Sequence, residues 1–382
     1  MGLDFLNIDM SYKKNQIEVY PTFKVKRSKD LMVRGGAFYA IWDETNKKWV
    51  TDEFIAQQII DEEVRKVYED VKNTITNNEQ ICPSYLRDSQ NRHIQKWHQY
   101  LKQDMCDCWH PLDATIIFDN DEQKRSNYSS KSLSYHLENV ETPAYNELSS
   151  TLYYPDELQK IEWSIGAIFT GASKDIQKFL VITGDAGKGK STMLHIIEML
   201  FEDYCVPFEA KAITGQNNEF ALSAFKSNPL VAIEHDGNLS KIMDNSRLNS
   251  LVSHETMLIN EKYKEPYPQR FDTFLIMASN SPVQITDAKS GLTRRILDVE
   301  PSGNLVSQRR YLQLMKQIKF ELGGIAQHCI NVFKEHEHDY DGYRPIRQIT
   351  RTYKFYDYIS YMSDTFSKMD CIGLDFAWQK YK

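Results

Sequence analysis

Residues 179–194 read Phe-Leu-Val-Ile-Thr-Gly-Asp-Ala-Gly-Lys-Gly-Lys-Ser-Thr-Met-Leu. The first five are apolar or β-branched and predict a buried strand, and the apolar residues after the serine recur at helical spacing. Between them lies the pattern Gly184-x-x-x-x-Gly189-Lys190-Ser191. Its glycines let backbone N–H groups surround phosphate oxygens, its lysine reaches the β- and γ-phosphates, and its serine hydroxyl ligates Mg²⁺. The stretch therefore predicts a P-loop in which the nucleotide is bound by Gly184, Asp185, Ala186, Gly187, Lys188, Gly189, Lys190, Ser191 and Thr192.

Length and composition limit the remaining possibilities. The 382 residues leave room for two or three domains, and a hydrophobic content of 41% is sufficient for ordinary cores. No run approaches about eighteen uninterrupted apolar residues, and the N-terminus lacks the layout of a signal peptide. We therefore expect no membrane contact and a cytoplasmic location, in the host cytoplasm for a viral protein. A net charge of −7 argues against a surface coated with nucleic-acid-binding groups, but it allows basic residues gathered in a channel.

Periodicity and composition divide the chain into three regions. Residues 1–140 combine strands and helices, and the polar tract at 118–132 is expected to be a surface loop. Residues 141–304 contain the P-loop. Residues 305–382 are expected to be helical, and the segment from Tyr353 is interpreted as the start of a truncated winged helix. The elements predicted outside residues 179–301 are strands at 17–25 and 37–42 and helices at 51–71, 157–169 and 311–332.

Strands alternate with helices between residues 179 and 301. This alternation is typical of a parallel sheet whose strands are joined by crossover connections. The predicted strands are 179–183, 206–209, 230–234, 273–279 and 296–300.

Two carboxylates follow the strand predicted at 230–234. A P-loop requires an acid at the end of a neighbouring strand, where it holds the Mg²⁺ shell and orients water. Glu234 and Asp236 supply this acid, and with Ser191 they form the expected magnesium site. The division of labour between the two acids stays open, and the alternative for both is a solvated strand end.

Three further polar residues have the positions that ATP hydrolysis requires. Asn280 ends an apolar strand, where its amide is suited to polarise the attacking water beside the γ-phosphate. Arg294 and Arg295 precede the last strand, where an arginine can reach across a subunit interface as a finger. The alternatives are a turn residue for the asparagine and a surface salt bridge for the arginines.

A hairpin is predicted over residues 257–267. A short β-prone run is followed by Lys262, Tyr263 and Lys264 and then by a proline. Cations around an aromatic ring at a hairpin tip suit phosphate contact and base stacking on single-stranded nucleic acid. A solvated loop is the alternative.

In this order, the P-loop, the acidic strand end, the basic hairpin, the asparagine and the paired arginines resemble superfamily 3 helicases. The greatest similarity is to the phage, plasmid and poxvirus primase-helicase branch. The resemblance covers residues 145–302 well and 30–75 loosely. It departs from the family where His235 separates Glu234 from Asp236, since many relatives have adjacent carboxylates.

The resemblance implies an α/β fold: an AAA+-like P-loop ATPase with a parallel central sheet, preceded by a small α+β region and followed by a helical region. It implies a homo-hexameric ring that binds ATP and Mg²⁺ at subunit interfaces and moves on single-stranded or forked DNA. Arg294 or Arg295 would enter the neighbour's site, and Lys262 and Lys264 would line the channel. No primase domain is apparent, which leaves priming to another polypeptide, such as a separate primase or polymerase, or to a missing portion of the chain.

Three other functions are compatible with a P-loop. An AAA+ remodeller acting on a protein partner would require an aromatic and apolar pore loop instead of Lys-Tyr-Lys. A viral DNA-packaging ATPase would respond to double-stranded DNA. A small-molecule kinase is disfavoured, because no arginine-rich lid follows the asparagine and the arginines.

Overall fold

The chain forms two compact units, Met1–Ser132 and Leu133–Lys382. In the computed structural model, the described residues are 2–13, 16–36, 38–75, 82–85, 90–214, 222, 225, 227–237, 246–260, 266–280, 291–345, 375, 376 and 379. No helix within these ranges is long and apolar enough to cross a membrane. The winged helix predicted from Tyr353 lies outside the described residues.

The described part of the first unit contains two three-stranded sheets and two α-helices. One sheet has the order β1-β2-β6, with β1 antiparallel and β6 parallel to β2, and the other is an antiparallel β3-β4-β5 meander. The elements are β1 (Leu6–Lys13), β2 (Gln16–Phe23), β3 (Leu31–Arg34), β4 (Phe38–Asp43), β5 (Lys48–Val50), α1 (Glu53–Ile75), β6 (Cys82–Tyr85) and α2 (Gln90–Gln99).

The strands predicted at 17–25 and 37–42 and the helix predicted at 51–71 correspond to β2, β4 and α1 with shifted ends. Strands β1, β3, β5 and β6 were not predicted. Of these, β3 and β5 are runs of four and three residues, too short to show a period. The polar tract at 118–132 is irregular apart from one 3-10 turn at Arg125–Asn127. Trp97 forms the centre of the core, with ring centroids of Phe23 and Tyr39 at 4.9 and 5.4 Å.

The second unit is built on a five-stranded sheet in which every neighbouring pair is parallel. The mixed α/β fold with a parallel sheet is therefore confirmed. Every residue of β7, β9, β12 and β13 is buried, as expected when helices cover both faces. The strands, in sheet order, are β13 (Ile296–Val299), β7 (Phe179–Thr183), β12 (Phe274–Ser279), β9 (Val231–Glu234) and β8 (Cys205–Pro207).

Strand order decides which loops meet. Strand β12 lies between β7 and β9, so the residue after β12 sits between the P-loop and the acids that follow β9. The strand predicted at 206–209 is displaced, because β8 ends at Pro207 and a short helix begins at Ala210. The helices of this unit are α3 (Pro143–Leu152), α4 (Pro155–Phe169), α5 (Lys190–Phe201), α6 (Ala210–Thr214), α7 (Ser246–Val252), α8 (Gln308–Ile318) and α9 (Leu322–Glu335).

The single helix predicted over 311–332 is wrong: α8 and α9 are separate helices. Between them, the Glu321 carboxylate accepts hydrogen bonds from the backbone N–H groups of Ala144 and Tyr145, at 3.0 and 2.9 Å, and so caps α3. Helix α9 then packs tightly on α4, where a Cβ added to Gly166 would lie 2.0 Å from the Cys329 carbonyl oxygen. A long-range cap and a close helix crossing leave no periodic signal in the sequence.

Candidate nucleotide-binding site

The P-loop connects the end of β7 to the start of α5. Gly187 and Gly189 have φ angles of 76° and 94°, in the left-handed region that favours glycine. Gly189 is also the N-cap of α5, and a Cβ there would lie 2.7 Å from the Leu152 side chain. The loop therefore needs glycine for its conformation and for its contact with α3. It leads directly into the positive end of a twelve-residue helix, as phosphate binding requires.

Lys190 lies at the centre of the loop. Its Nζ donates hydrogen bonds to the carbonyl oxygens of Gly184 and Asp185, at 2.6 and 2.8 Å, and to Asn280 Oδ1 at 2.8 Å. Only 6% of the residue is exposed, and burial lowers the pKa of the amine. The amine is thus held under the loop by neutral acceptors, which an anion can replace.

Asn280 joins the P-loop to the acidic strand end. Its Nδ2 donates to Asp236 Oδ1 at 3.0 Å, while its Oδ1 accepts from Lys190. Lys190, Asn280 and Asp236 therefore form one hydrogen-bonded chain, which we call the edge chain. It crosses the carboxyl ends of three adjacent strands, β7, β12 and β9. The structure thus brings together three residues that lie far apart in the sequence.

Glu234 is placed differently from Asp236. Its side chain is buried, and its Oε2 accepts a hydrogen bond from the Ala210 backbone N–H at 3.1 Å. Burial raises the pKa of this carboxyl group. Glu234 does not line the cavity at the P-loop, whereas Asp236 does. Of the two acids that the sequence left equivalent, only Asp236 takes part in the edge chain.

A cavity of about 620 Å³ opens over the P-loop. Most of its polar lining comes from the P-loop and the ends of β9 and β12. Its apolar lining comes mainly from α3 and from the segment that leads into α8. The lining residues are Leu148, Leu152, Ala186, Gly187, Gly189, Lys190, Ser191, Thr192, His235, Asp236, Asn280, Leu305, Val306, Gln308 and Tyr311.

The oxygen ligands fit a magnesium ion that also binds phosphate. Ser191 and Asp236 both line the cavity. Among the described residues, no group of three or more His, Cys, Asp or Glu side chains is arranged to hold a metal by itself. Mg²⁺ characteristically takes one or two protein ligands and completes its shell with phosphate oxygens and water.

His235 was noted in the sequence only because it separates the two acids. In the structure it lines the cavity, and its Nε2 lies 2.7 Å from Glu198 Oε1 on α5. The sequence contained an indication of this pair, since Glu198 lies two helical turns after Lys190 and therefore on the same face of α5. The fold was needed to bring that face of α5 against the end of β9.

The two arginines have different environments. Arg295 is 6% exposed, its Nε and Nη2 donate to Ser253 Oγ at 3.1 and 2.6 Å, and its Nη1 donates to the Gly291 carbonyl oxygen at 2.7 Å. Arg294 is exposed. Both precede β13 at the amino edge of the sheet, about 15 Å along the strands from the P-loop of the same chain. The structure therefore places Arg294 at the surface and bonds Arg295 within the fold.

The predicted hairpin is present. Strands β10 (Thr256–Ile259) and β11 (Tyr267–Arg270) pair antiparallel, with Ile259 opposite Tyr267. Lys262, Tyr263 and Lys264 lie between them, outside the described residues, so their role as a DNA contact stays a prediction.

Comparison with known proteins shows the fold. Residues 182–295, from the P-loop strand to the second arginine, match a family of unknown function, DUF5906. The A form apo structure of the NrS-1 C-terminal region is 14% identical, with a TM-score of 0.50 over 92% of this chain and 82% of that chain. The fold is thus shared with that region.

Two further structures are less similar. Another apo structure of the NrS-1 C-terminal region is 12% identical with a TM-score of 0.47, and it has the same coverage. A ligand-bound JCV helicase is 10% identical with a TM-score of 0.30, over 57% of this chain and 62% of that chain. Similarities of this size carry no argument about the present chain.

Proposed function

We propose that the protein is an ATP-dependent, ring-forming DNA helicase of viral or mobile-element replication, acting in the cytoplasm. The observation that carries this proposal is the edge chain, in which Lys190, Asn280 and Asp236 meet over the P-loop. A lysine, an amide and a carboxylate at the ends of adjacent strands are the groups that hydrolysis of a nucleoside triphosphate requires. ATP and Mg²⁺ are the proposed cofactors.

The side chains have distinct roles in this proposal. Lys190 exchanges its carbonyl partners for β- and γ-phosphate oxygens, and the N-terminus of α5 adds its dipole. Ser191 and Asp236 hold Mg²⁺, which neutralises phosphate charge when bound. Asn280, released from Lys190, orients the attacking water at the γ-phosphate. Glu234 accepts a hydrogen bond from the Ala210 backbone N–H and so holds the end of β9 in place.

A second copy of the chain completes the site. Arg294 is exposed at the sheet edge opposite the P-loop, so it can approach a γ-phosphate only in a neighbouring subunit. This geometry supports a ring, for which we propose six subunits by resemblance to superfamily 3 helicases. Lys262, Tyr263 and Lys264 then face the channel and follow single-stranded or forked DNA, and a separate primase or polymerase supplies primers.

The first experiment measures ATP hydrolysis with and without single-stranded DNA, together with unwinding of a forked duplex. The Lys190→Ala variant serves as the blank. We expect DNA to stimulate hydrolysis and the duplex to separate. Hydrolysis that is indifferent to DNA would contradict the helicase proposal and support an AAA+ remodeller. Stimulation by duplex DNA without strand separation would support a packaging ATPase.

Two variant experiments test the DNA-contacting hairpin and the arginine finger separately. We expect Lys262→Ala combined with Lys264→Ala to retain basal hydrolysis and lose DNA stimulation, and unchanged stimulation would refute the hairpin assignment.

To test the arginine finger, Arg294→Ala and Lys190→Ala chains are co-expressed. Each variant alone is expected to be inactive, whereas mixed rings regain part of the activity, since intact P-loops then face intact arginines. The absence of any recovery in mixed rings would argue against a finger in trans.

A further inference from the structure

The exposed side of α8 combines cations with apolar side chains. Residues 308–320 contain four basic residues and no carboxylate. Leu312 is 53% exposed, and Phe320, just beyond the helix, is 89% exposed. Among the described residues, only Arg310 of these cations has an ion pair, with Glu147 on α3. Residues three or four apart share one side of a helix, and we call this side the α8 face; it consists of Arg309, Leu312, Lys316, Lys319 and Phe320.

A turn at the end of α9 has the opposite charge. Residues 335–341 contain four carboxylates and no lysine or arginine. The turn is anchored to α4, because Trp163 Nε1 donates to the His336 carbonyl oxygen at 2.9 Å and the ring of Tyr340 lies edge-on to Trp163, with centroids 5.1 Å apart. Its charge is therefore presented from a fixed position. We call this segment the acidic turn, and its exposed carboxylates are Glu335, Glu337, Asp339 and Asp341.

The acidic turn lies next to Arg294. The Lys178 amine donates to the carbonyl oxygens of Arg294 and Tyr343, at 3.0 and 3.3 Å. One side chain bonded to both carbonyl groups keeps the two backbones side by side. The Tyr343 hydroxyl also donates to Asp298 on β13, the strand that follows Arg294. The exposed arginine and the acidic turn therefore belong to one surface of the unit.

Helix α8 starts at the cavity over the P-loop. Gln308 and Tyr311, in its first turn, line that cavity. The eleven residues of the helix extend about 16 Å, so the α8 face continues from the edge of the cavity along the surface. In the proposed ring, this cavity receives Arg294 of the next subunit. The α8 face then lies beside the point where that arginine enters.

We propose that the α8 face of one subunit binds the acidic turn of the next subunit in the ring. The inference rests on the proposed ring, in which Arg294 of one copy enters the cavity of another. An arginine that enters the cavity brings the acidic turn beside it to the α8 face. Opposite charges then surround the apolar side chains of Leu312 and Phe320, and these are the groups that the contact removes from water.

The charges determine which surfaces of two copies can meet. Two α8 faces repel each other, and so do two acidic turns, whereas one of each attracts. The contact is therefore heterologous, and repeated contacts of this kind close a ring instead of a symmetric dimer. The same pairing sets the register between subunits, so it aligns Arg294 with the neighbouring cavity without touching the nucleotide.

Charge reversal on the full chain tests this contact, with assembly measured by sedimentation velocity in the presence of Mg²⁺ and a slowly hydrolysed ATP analogue. One variant combines Lys316→Glu with Lys319→Glu, and the other combines Glu335→Lys with Glu337→Lys. We expect each to raise the protein concentration at half-assembly by about tenfold or more. A chain that carries all four substitutions should assemble within about threefold of the parent protein, because the charges are again opposite.

The matched control is Lys211→Glu. Lys211 is an exposed lysine on α6, which follows β8 at the opposite end of the sheet from β13. We expect its assembly to equal that of the parent protein. Thermal melts below the assembly concentration check that each variant is folded, and the recovery in the fourfold variant separates a lost contact from a damaged fold.

Three results would overturn the inference: unchanged assembly in both double variants, an equal loss in Lys211→Glu, or no recovery in the fourfold variant. The proposed function fails separately. Rings whose assembly follows these charges but whose hydrolysis is indifferent to single-stranded DNA would keep the contact and contradict the helicase. Rings that unwind DNA and ignore the charge reversals would keep the helicase and contradict the contact. A parent chain that remains a monomer would contradict both.

Discussion

The two edges of the parallel sheet use similar side chains in opposite ways. At the carboxyl edge, Lys190, Asn280 and Asp236 bond to one another and line a cavity. At the amino edge, Lys178 Nζ donates to the carbonyl oxygens of Arg294 and Tyr343, at 3.0 and 3.3 Å. Lys178 at the amino edge is thus bonded to backbone groups of the fold, whereas the three side chains at the carboxyl edge bond along one chain beside a cavity.

Two further residues extend the contrast. At the amino edge, the ring nitrogens of His254 lie 2.9 and 3.1 Å from the Phe271 and Ile176 carbonyl oxygens. Arg295 is likewise bound by Ser253 and Gly291. The asymmetry has a physical cause, since in a parallel sheet the helices that follow the strands direct their positive ends toward the carboxyl edge. The chemical character of a charged residue therefore predicts its role less well than the edge on which it lies.

The largest expected effect is the loss of the P-loop lysine. Lys190→Ala removes the donor that faces the phosphates, so we expect kcat to fall by about 100- to 1000-fold. Lys188→Ala is the matched control, because Lys188 is in the same loop but does not line the cavity. Steady-state ATPase assays and thermal melts measure both. Equal losses of kcat in Lys190→Ala and Lys188→Ala would contradict the prediction, because the cavity-lining lysine would then matter no more than its neighbour in the loop.

The two acids give the next largest effect. We expect Asp236→Asn to lower kcat by about 100-fold, because this carboxylate belongs to the edge chain. Glu234→Gln should retain most of the activity, because an amide oxygen can still accept from Ala210 and burial already raises the pKa of the carboxyl group. Both variants are assayed across Mg²⁺ concentrations. A greater loss for Glu234→Gln would assign the metal or the water to the buried acid instead.

Substitutions at the amino edge should mainly change the free energy of unfolding. Arg295→Ala leaves Ser253 and Gly291 without their partner, so we expect the free energy of unfolding to fall by about 2 kcal/mol. Arg294→Ala should change stability by less than about 0.5 kcal/mol, because this residue is exposed. Denaturant melts of the two single variants make the comparison. The prediction is wrong if both variants melt like the parent protein.

The smallest effect comes from an ion pair away from both edges. His328 Nε2 on α9 lies 3.2 Å from Glu162 Oε2 on α4, and the hydrogen bond with this carboxylate raises the pKa of His328. A raised pKa means that the stabilisation is complete below the unfolded value of about 6.5 and is lost as pH rises through the folded value.

His328→Gln should therefore destabilise the protein more at pH 5.5 than at pH 9. The difference should stay below about 1 kcal/mol, since the His328 side chain is 45% exposed and solvent screens the pair. Melts at the two pH values measure it. The exposed His338, paired with Asp341 on a turn, provides the control as His338→Gln. A larger destabilisation at pH 9 than at pH 5.5 would contradict a raised pKa of His328 in the folded protein.

Much of the site could be predicted from sequence. The proximity of the P-loop, Asn280 and Asp236 could be expected because each follows an apolar run, and the ends of such runs meet at one edge of a parallel sheet; their roles stay predictions. The choice between Arg294 and Arg295 could not be made, since neighbouring residues point in different directions and only packing decides which one is buried. The apolar walls at Leu148 and Leu305 were missed, because isolated leucines in separate segments resemble any core residue.

The sequence by itself determined the parallel sheet, the phosphate loop and the residue types at the strand ends, because these depend on local periodicity and on glycine positions. Only the tertiary structure decided that β12 lies between β7 and β9, that Asp236 and not Glu234 joins Lys190 through Asn280, and that the segment after β13 closes the cavity against α3. The reason is that strand order, burial and cavity walls arise from contacts between distant segments, and no local pattern records which distant segments will meet.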